Sequence, residues 1–321
     1  MTEYRWDHLH TADVEAWAEL TNTLARVDET EEHYSADDLA EELVETGFDA
    51  RTDSVAVWDG ERLVGYGQLR VSMLPDPQGR VRCTLSGGVH PDHRGRGLGR
   101  ELMDRLERRA VELAAERHPG RPAYWRASGG VRDTASVRAL LEHRGYSVVR
   151  WFNEMKRPLP GEPLATPAPA GVRLLRGDEA DAEAVREAHN LAFRDHWGSA
   201  PQTPEAWRDF WGSRTARHHL STVAVDGDGD GDESVLGYVL CSQWVERELY
   251  VGLVGTVPAA RGRGVARAAL AETIRRAGAA GEHDVVELGV DSASPTGATR
   301  LYDALGFSTA RVSAAYQRDP A

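Results

Sequence analysis

Two short stretches carry most of the chemistry legible in this chain. Arg94-Gly95-Arg96-Gly97-Leu98-Gly99 and Arg261-Gly262-Arg263-Gly264-Val265-Ala266 both fit Arg-x-x-Gly-x-Gly/Ala. Each lies three residues past a proline, Pro91 or Pro258, behind an apolar run, and each opens a helix-like segment. A strand that turns through small residues into a helix leaves several backbone N–H groups unpaired and pointing one way, which makes an anion site. The arginines add positive charge, so the chemistry on offer is phosphate binding. A Walker loop would need Gly-Lys-Ser/Thr, which neither copy has. A dinucleotide fingerprint needs Gly-x-Gly-x-x-Gly after the first strand of a βαβ unit. Gly95 to Gly99 has another spacing and follows three antiparallel-looking strands.

A second pair of stretches differs where chemistry would reside. Leu301-Tyr302-Asp303-Ala304-Leu305-Gly306-Phe307 closes one helix, and Leu140-Leu141-Glu142-His143-Arg144-Gly145-Tyr146 closes its counterpart. Matching Gly306-Phe307 to Gly145-Tyr146 puts Tyr302 opposite Leu141. A phenol can donate a proton and leucine cannot.

The elements that must position these residues occur twice in the same order. In the first half, Ser54 to Trp58 and Arg62 to Val71 read as strands around the turn Asp59-Gly60-Glu61. Cys83 to Val89 is a third strand, followed by the loop and a helix with Leu98, Leu102, Leu106 and Leu113 at helical spacing. In the second half, Ser221 to Val225, Ser234 to Gln243 and Leu249 to Val257 are the matching strands, and Val265 to Ala280 the matching helix. A further strand follows each, Ala123 to Ala127 and Val285 to Val290. Arg94 and Arg261 stand 167 positions apart, a period that means whole domains and not a solenoid. The expected division is an N-terminal domain over 1–157, a proline-rich linker over 158–171 and a C-terminal domain over 172–321. Helical, acidic segments precede each strand set, Ala12 to Glu45 and Asp178 to Trp211, and they are the parts least alike.

Composition narrows the partners. The formal charge of −13 on 321 residues argues against nucleic acid, whose binders present basic faces. No apolar stretch is long enough to span a bilayer, and the first residues lack the apolar core of an export signal, so a cytoplasmic protein is expected. Cys83 and Cys241 fall in separate strands and read as buried thiols. Asp226 to Glu233 resembles the start of a calcium loop, but its twelfth position is Gly237 where a bidentate glutamate is required, so it reads as a solvated hairpin connection. Histidine and cysteine spacing predicts no ligand cluster, and no metal is expected. Nothing in the sequence separates a monomer from a homodimer.

Val254-Gly255-Thr256-Val257-Pro258 leading into the second loop, with the closing Leu-Tyr-x-x-Leu-Gly-Phe, resembles the GNAT superfamily of GCN5-related N-acetyltransferases. The resemblance covers nearly the whole chain, twice. It implies an α/β fold of two tandem GNAT-type domains, each a mixed, mostly antiparallel twisted sheet flanked by helices. It implies acetyl-CoA as acyl donor: Val254, Gly255 and Thr256 on the pantetheine and thioester, Arg261, Gly262, Arg263, Gly264, Val265 and Ala266 on the pyrophosphate. Arg94, Gly95, Arg96, Gly97, Leu98 and Gly99 make the corresponding cofactor loop in a half that lacks the acid, which either binds CoA or only buttresses the second domain. Tyr302 takes the role of general acid toward the departing thiolate. Many relatives carry asparagine shortly before the final helix, where this chain has Ser294-Pro295; Ser294 retains one hydrogen bond to offer.

A base must take a proton from the acceptor ammonium, and Glu246 and Glu248, preceding the third strand, are the candidates. Strand alternation would put both on one face. His189, Asp195, His196 and Trp197 lie in the segment expected to wall the acceptor pocket. Phe193-Arg194-Asp195-His196 resembles the matching stretch of mycothiol synthases, a tandem branch of the superfamily with one degenerate half. The leading expectation is N-acetylation of a small-molecule primary amine in the C-terminal domain. The alternatives are acetylation of a cysteinyl pseudodisaccharide and a non-catalytic CoA-binding regulatory role.

Overall fold

The computed structural model describes residues 3–30, 32–130, 136–162, 164, 166–227, 234–293 and 297–320. They form two compact units, Met1–Trp151 with Ser313–Ala321, and Phe152–Val312. The proline-rich segment separates the repeats in sequence but is not the border between the units. Residues 152–157 group with the second unit, and the last nine residues of the chain group with the first.

The first unit opens with β1 (Arg5–Asp7), α1 (Val14–Asp28), α2 (Ala36–Glu42) and α3 (Ala50–Asp53). Then come β2 (Ser54–Asp59), β3 (Arg62–Val71), β4 (Val81–Val89), α4 (Leu98–Arg117), β5 (Ala123–Gly130) and α5 (Ser136–His143). β1 to β4 pair antiparallel in order, and β4 pairs β5 in parallel. The leucines predicted to line α4 are all buried: Leu106 and Leu113 pack with Leu69, Leu85 and Trp125, and Leu98 and Leu102 with Val57, Val64 and Val89. On the other face α1 buries Trp17, Leu20 and Leu24.

The strand β6 (Ser147–Pro158) is the next element. The second unit continues with β7 (Val172–Arg176), α6 (Ala182–Ala192), α7 (Pro204–Gly212), β8 (Thr222–Asp226), β9 (Val235–Ser242) and β10 (Glu248–Thr256). It is completed by α8 (Val265–Ala280), β11 (Val285–Asp291), α9 (Ala298–Asp303) and the first residues of β12 (Ser308–Arg318). β7 to β10 pair antiparallel and β10 pairs β11 in parallel. Ala268, Ala269, Ala271 and Ala277 of α8 are fully buried with Leu270 and Ile274. Small side chains let that helix lie close on the sheet, which explains its alanine-rich sequence.

Two outer strands escaped the sequence reading, β1 and β7, because three to five residues give too little alternation to register. Each unit's last strand is also supplied from beyond its own repeat. Residues 313–318 of β12 pair antiparallel with β5, from Ala314↔Gly129 to Arg318↔Trp125. Residues 152–158 of β6 pair antiparallel with β11, from Asp291↔Phe152 to Val285↔Pro158. Among the described residues no helix is long and apolar enough to cross a membrane.

Candidate active site

In the second unit β10 and β11 run parallel only from Glu248 to Tyr250, against Val285 to Glu287. Beyond that point β10 stays paired with β9 as far as Thr256, while β11 stays paired with β6 as far as Asp291. The inner edges of the two strands therefore separate and leave a wedge, whose walls carry N–H and C=O groups that neither strand satisfies. An extra residue, Gly252, sits at the mouth as a bulge between Val251 and Leu253. It rephases the strand. Leu249, Val251 and, past the bulge, Val254 pack on the α8 side, whereas Leu253 packs with Tyr238, Leu240 and Trp207 on the α6–α7 side. Gly255 belongs where it is because a Cβ there would lie 2.3 Å from the Tyr238 ring.

The loop leaves the end of the wedge. The N–H of Val257 donates to Leu236 O at 3.0 Å, and Pro258–Ala260 make one tight turn. Gly262 and Gly264 then take φ +77° and +83°, the left-handed region that favours glycine. Gly264 is the N-cap of α8 and has no side chain to cap it, so the first-turn N–H groups face outward with the positive end of the helix dipole. Arg261 donates to Ala192 O at 2.9 Å. Arg263 is exposed, and among the described residues it has no hydrogen-bond or ion-pair partner.

The first unit repeats the backbone and alters the side-chain environment. β4 and β5 pair only from Val81 to Thr84, and Gly95 and Gly97 take φ +75° and +86°. There, however, Arg94 forms a bidentate pair with Asp28 at 2.9 and 2.6 Å. Arg96 donates to Tyr4 Oη at 3.1 Å and to Asp92 O at 2.9 Å. Both arginines are already held by the protein.

The proposed match of Tyr302 with Leu141 has a hydrogen-bond counterpart. Phe307 N–H donates to Tyr302 O at 3.1 Å and Gly306 N–H to Asp303 O at 3.0 Å. In the first unit Tyr146 N–H donates to Leu141 O at 3.0 Å and Gly145 N–H to Glu142 O at 3.0 Å. The turns are the same and the residues occupy one position. Leu141 is 1% exposed within its core. Tyr302 is 6% exposed, edge-on to Phe307, and its hydroxyl has no hydrogen-bond partner among the described residues. Burial pushes its pKa up to about 12, which keeps the proton on the oxygen at neutral pH.

The two carboxylates are placed differently. Glu248 begins β10 on the face opposite the α8 core, with Lys156 Nζ 3.9 Å away and the same amine 3.3 Å from Glu287. Glu246 lies in the turn before it, exposed, with Arg247 at φ +62° between them. The left-handed residue interrupts the pleat, so strand alternation does not extend to Glu246. Ser294 lies outside the described residues, as does most of the acidic hairpin connection, 228–233.

Above the α6–α7 face, His196 is exposed and its Nδ1 lies 3.1 Å from Ser199 Oγ; Trp197 is half-buried. His189 is buried, stacked on Phe193 with ring centroids 4.6 Å apart, and its Nδ1 lies 2.7 Å from Tyr238 Oη. Burial pulls its pKa down to about 4. The Tyr238 partner, 49 positions away, left no trace in local sequence. Cys83 and Cys241 are buried and unpaired, and burial raises both thiols to about 12.

Histidine and cysteine spacing alone predicted no ligand cluster; among the described residues Asp7, His8 and His10 bring three ligand atoms within 4.8 Å of one another. The spacing argument left out the carboxylate beside the two histidines.

Comparison with known proteins gives a consistent result. The profile of the Acetyltransferase (GNAT) family matches residues 14–118 and again 182–307. A mycothiol acetyltransferase of Mycolicibacterium paratuberculosis is 32% identical over 288 residues, 84% of this chain and 82% of the relative. One of Actinosynnema mirum is 29% identical over 98% of this chain and 99% of the relative. A GCN5-related N-acetyltransferase from Sphaerobacter thermophilus superposes with a TM-score of 0.73 at 26% identity, covering 98% of this chain and 95% of the other. A tandem GNAT protein from the clavulanic acid biosynthesis pathway superposes at 0.68 over 99% and 100%, with 20% identity, and shares the fold.

Proposed function

Because the chain belongs to the acetyltransferase (GNAT) family, with two copies of the domain, we propose that it transfers acetyl from acetyl-CoA to a primary amine of a small molecule, and that the second unit alone performs the reaction. The observation that carries this reading is the inequality of the copies. One has an uncommitted Arg263 beside its loop and Tyr302, whose hydroxyl has no hydrogen-bond partner among the described residues; the other has its arginines engaged and Leu141. With acetyl-CoA as substrate, the amides of residues 262–266 hold the pyrophosphate at the start of α8. The thioester lies in the wedge beside Val254 to Thr256, where strand N–H groups face the oxygen that becomes negative during attack.

The amine enters from the α6–α7 face. Glu248 takes its proton through water, with Glu246 the less well placed candidate, and the neutral nitrogen attacks the carbonyl carbon. The tetrahedral adduct collapses, the C–S bond breaks, and the electron pair leaves on sulfur. Tyr302 donates its proton there, and the second proton, shed by the nitrogen of the adduct as the amide forms, returns through water to the phenolate. No step calls for a metal. The unpaired cysteines fit a cytoplasmic setting.

The identity of the relatives favours one specific acceptor, the cysteinyl pseudodisaccharide of mycothiol synthesis, as a second reading. Purified full-length protein offered acetyl-CoA with a panel of small amines, that thiol compound included, is the test, with release of free CoA thiol as the readout. Turnover with one or more amines is expected. Tight binding of acetyl-CoA with no transfer to any member would overturn the reading.

A further inference from the structure

The segment Asp7-His8-Leu9-His10 lies far in sequence from both loops and takes no part in the proposed reaction. Asp7 ends β1, paired with Ala56 of β2. Leu9 is 1% exposed, and its N–H donates to Ser54 Oγ at 2.9 Å. With Leu9 turned in and pinned, His8 and His10 are turned out, with side chains 28% and 47% exposed and ring centroids 3.9 Å apart. His10 is held at the entrance to α1, where its N–H donates to Asp13 Oδ2 and its carbonyl accepts from Asp13 N–H, each at 2.9 Å.

The carboxylate of Asp7 is oriented from both sides. Oδ2 accepts from Arg5 Nη1 at 2.7 Å, and Oδ1 accepts from His8 N–H at 2.9 Å. The same Oδ1 lies 3.2 Å from His8 Nδ1 and 3.5 Å from His10 Nε2. Two ligands bound to zinc at tetrahedral angles, with bonds near 2.0–2.1 Å, stand about 3.3 Å apart. The two distances bracket that edge. The third edge closes by rotation of the exposed His10 ring.

We propose that Asp7 Oδ1, His8 Nδ1 and His10 Nε2 form a site for one divalent transition-metal ion, Zn2+ or Ni2+, with the remaining position or positions left to water. Two imidazoles and one carboxylate suit ions of this class; Ca2+ and Mg2+ take oxygen ligands. The Arg5–Asp7 contact plays the part that outer hydrogen bonds play for metal-bound carboxylates, fixing the ligand before the ion arrives. The site belongs to the first unit only, since β7 and the turn after it, Val172 to Glu179, contain no histidine. A bound ion ties the end of β1 to the start of α1.

The test uses untagged, full-length, chelator-stripped protein titrated calorimetrically with Zn2+, Ni2+ and Mg2+. One Zn2+ or Ni2+ per chain is expected, with a rise in Tm of a few degrees at saturation. The His8→Ala/His10→Ala double variant is expected to lose at least tenfold in affinity and all of the Tm rise, while His143→Ala keeps both. Absence of binding, equal binding of Mg2+, or affinity unchanged in the double variant would each overturn the site. Circular dichroism confirms that the variants fold, and acetyl transfer is not read, so the outcome is independent of the reaction assigned to Tyr302.

Discussion

At the scale of single residues, the pair Tyr302 and Leu141 carries the clearest expectation. Tyr302→Phe removes one oxygen and leaves the ring contact with Phe307. It should lower kcat by roughly 10²-fold, the low end for a positioned acid, because a thiolate is an adequate leaving group. With its pKa at about 12, Tyr302 stays protonated through the working range, so the wild-type-to-variant ratio of kcat should hold constant from about pH 6 to about pH 10. A ratio that collapses on the alkaline side would mean the acid is another group. His189 gives a stability prediction. Its folded pKa near 4 lies below the ordinary 6.5, so the unfolded chain binds more protons between those values and stability falls as pH drops through them. The full difference is worth about 3 kcal/mol. Urea unfolding at pH 7 and pH 4.5 should show wild type losing more than His189→Gln; parallel losses would refute a neutral, buried His189. The Tyr302–Leu141 contrast was legible because each residue sits inside a seven-residue signature. The His189–Tyr238 contact was not, since a buried side-chain pair across 49 positions follows from packing that local pattern does not encode.

At the scale of elements, strand–turn–helix order was legible wherever a tight turn or a leucine stripe marked it. The length over which β10 and β11 stay paired was not, nor was the Gly252 bulge, because pairing register depends on both neighbours at once. The loops offer a controlled comparison. Gly97 and Gly264 both cap a helix in the left-handed region, and a Cβ at either meets no atom within 3.4 Å. Gly97→Ala and Gly264→Ala should each cost about 1 kcal/mol in stability, from backbone strain alone. Their effects on catalysis should differ: Gly264→Ala raises the KM for acetyl-CoA several-fold, and Gly97→Ala leaves it unchanged. Equal KM changes in a steady-state assay would mean that both loops serve the reaction.

At the scale of the whole molecule, hydropathy and periodicity located the repeats but said nothing of which strand closes which sheet. β5 takes its outer partner from residues 313–318, and β11 takes its own from residues 152–158. A fragment ending inside the proline-rich segment lacks the partner of β5, buried Tyr316 included, and should show no cooperative unfolding transition; appending residues 308–320 through a flexible tether should restore one. The same arrangement sets a schedule on the ribosome. Trp125 to Gly129 emerge about 190 residues before the strand that completes them, a delay of about 10 to 40 s at ordinary elongation rates. Throughout that interval β5 presents an open, hydrogen-bonding edge to any nascent chain nearby. The first unit to be synthesised is thus among the last parts of the chain to finish folding, and its exposure to chaperones is written into the order of its strands.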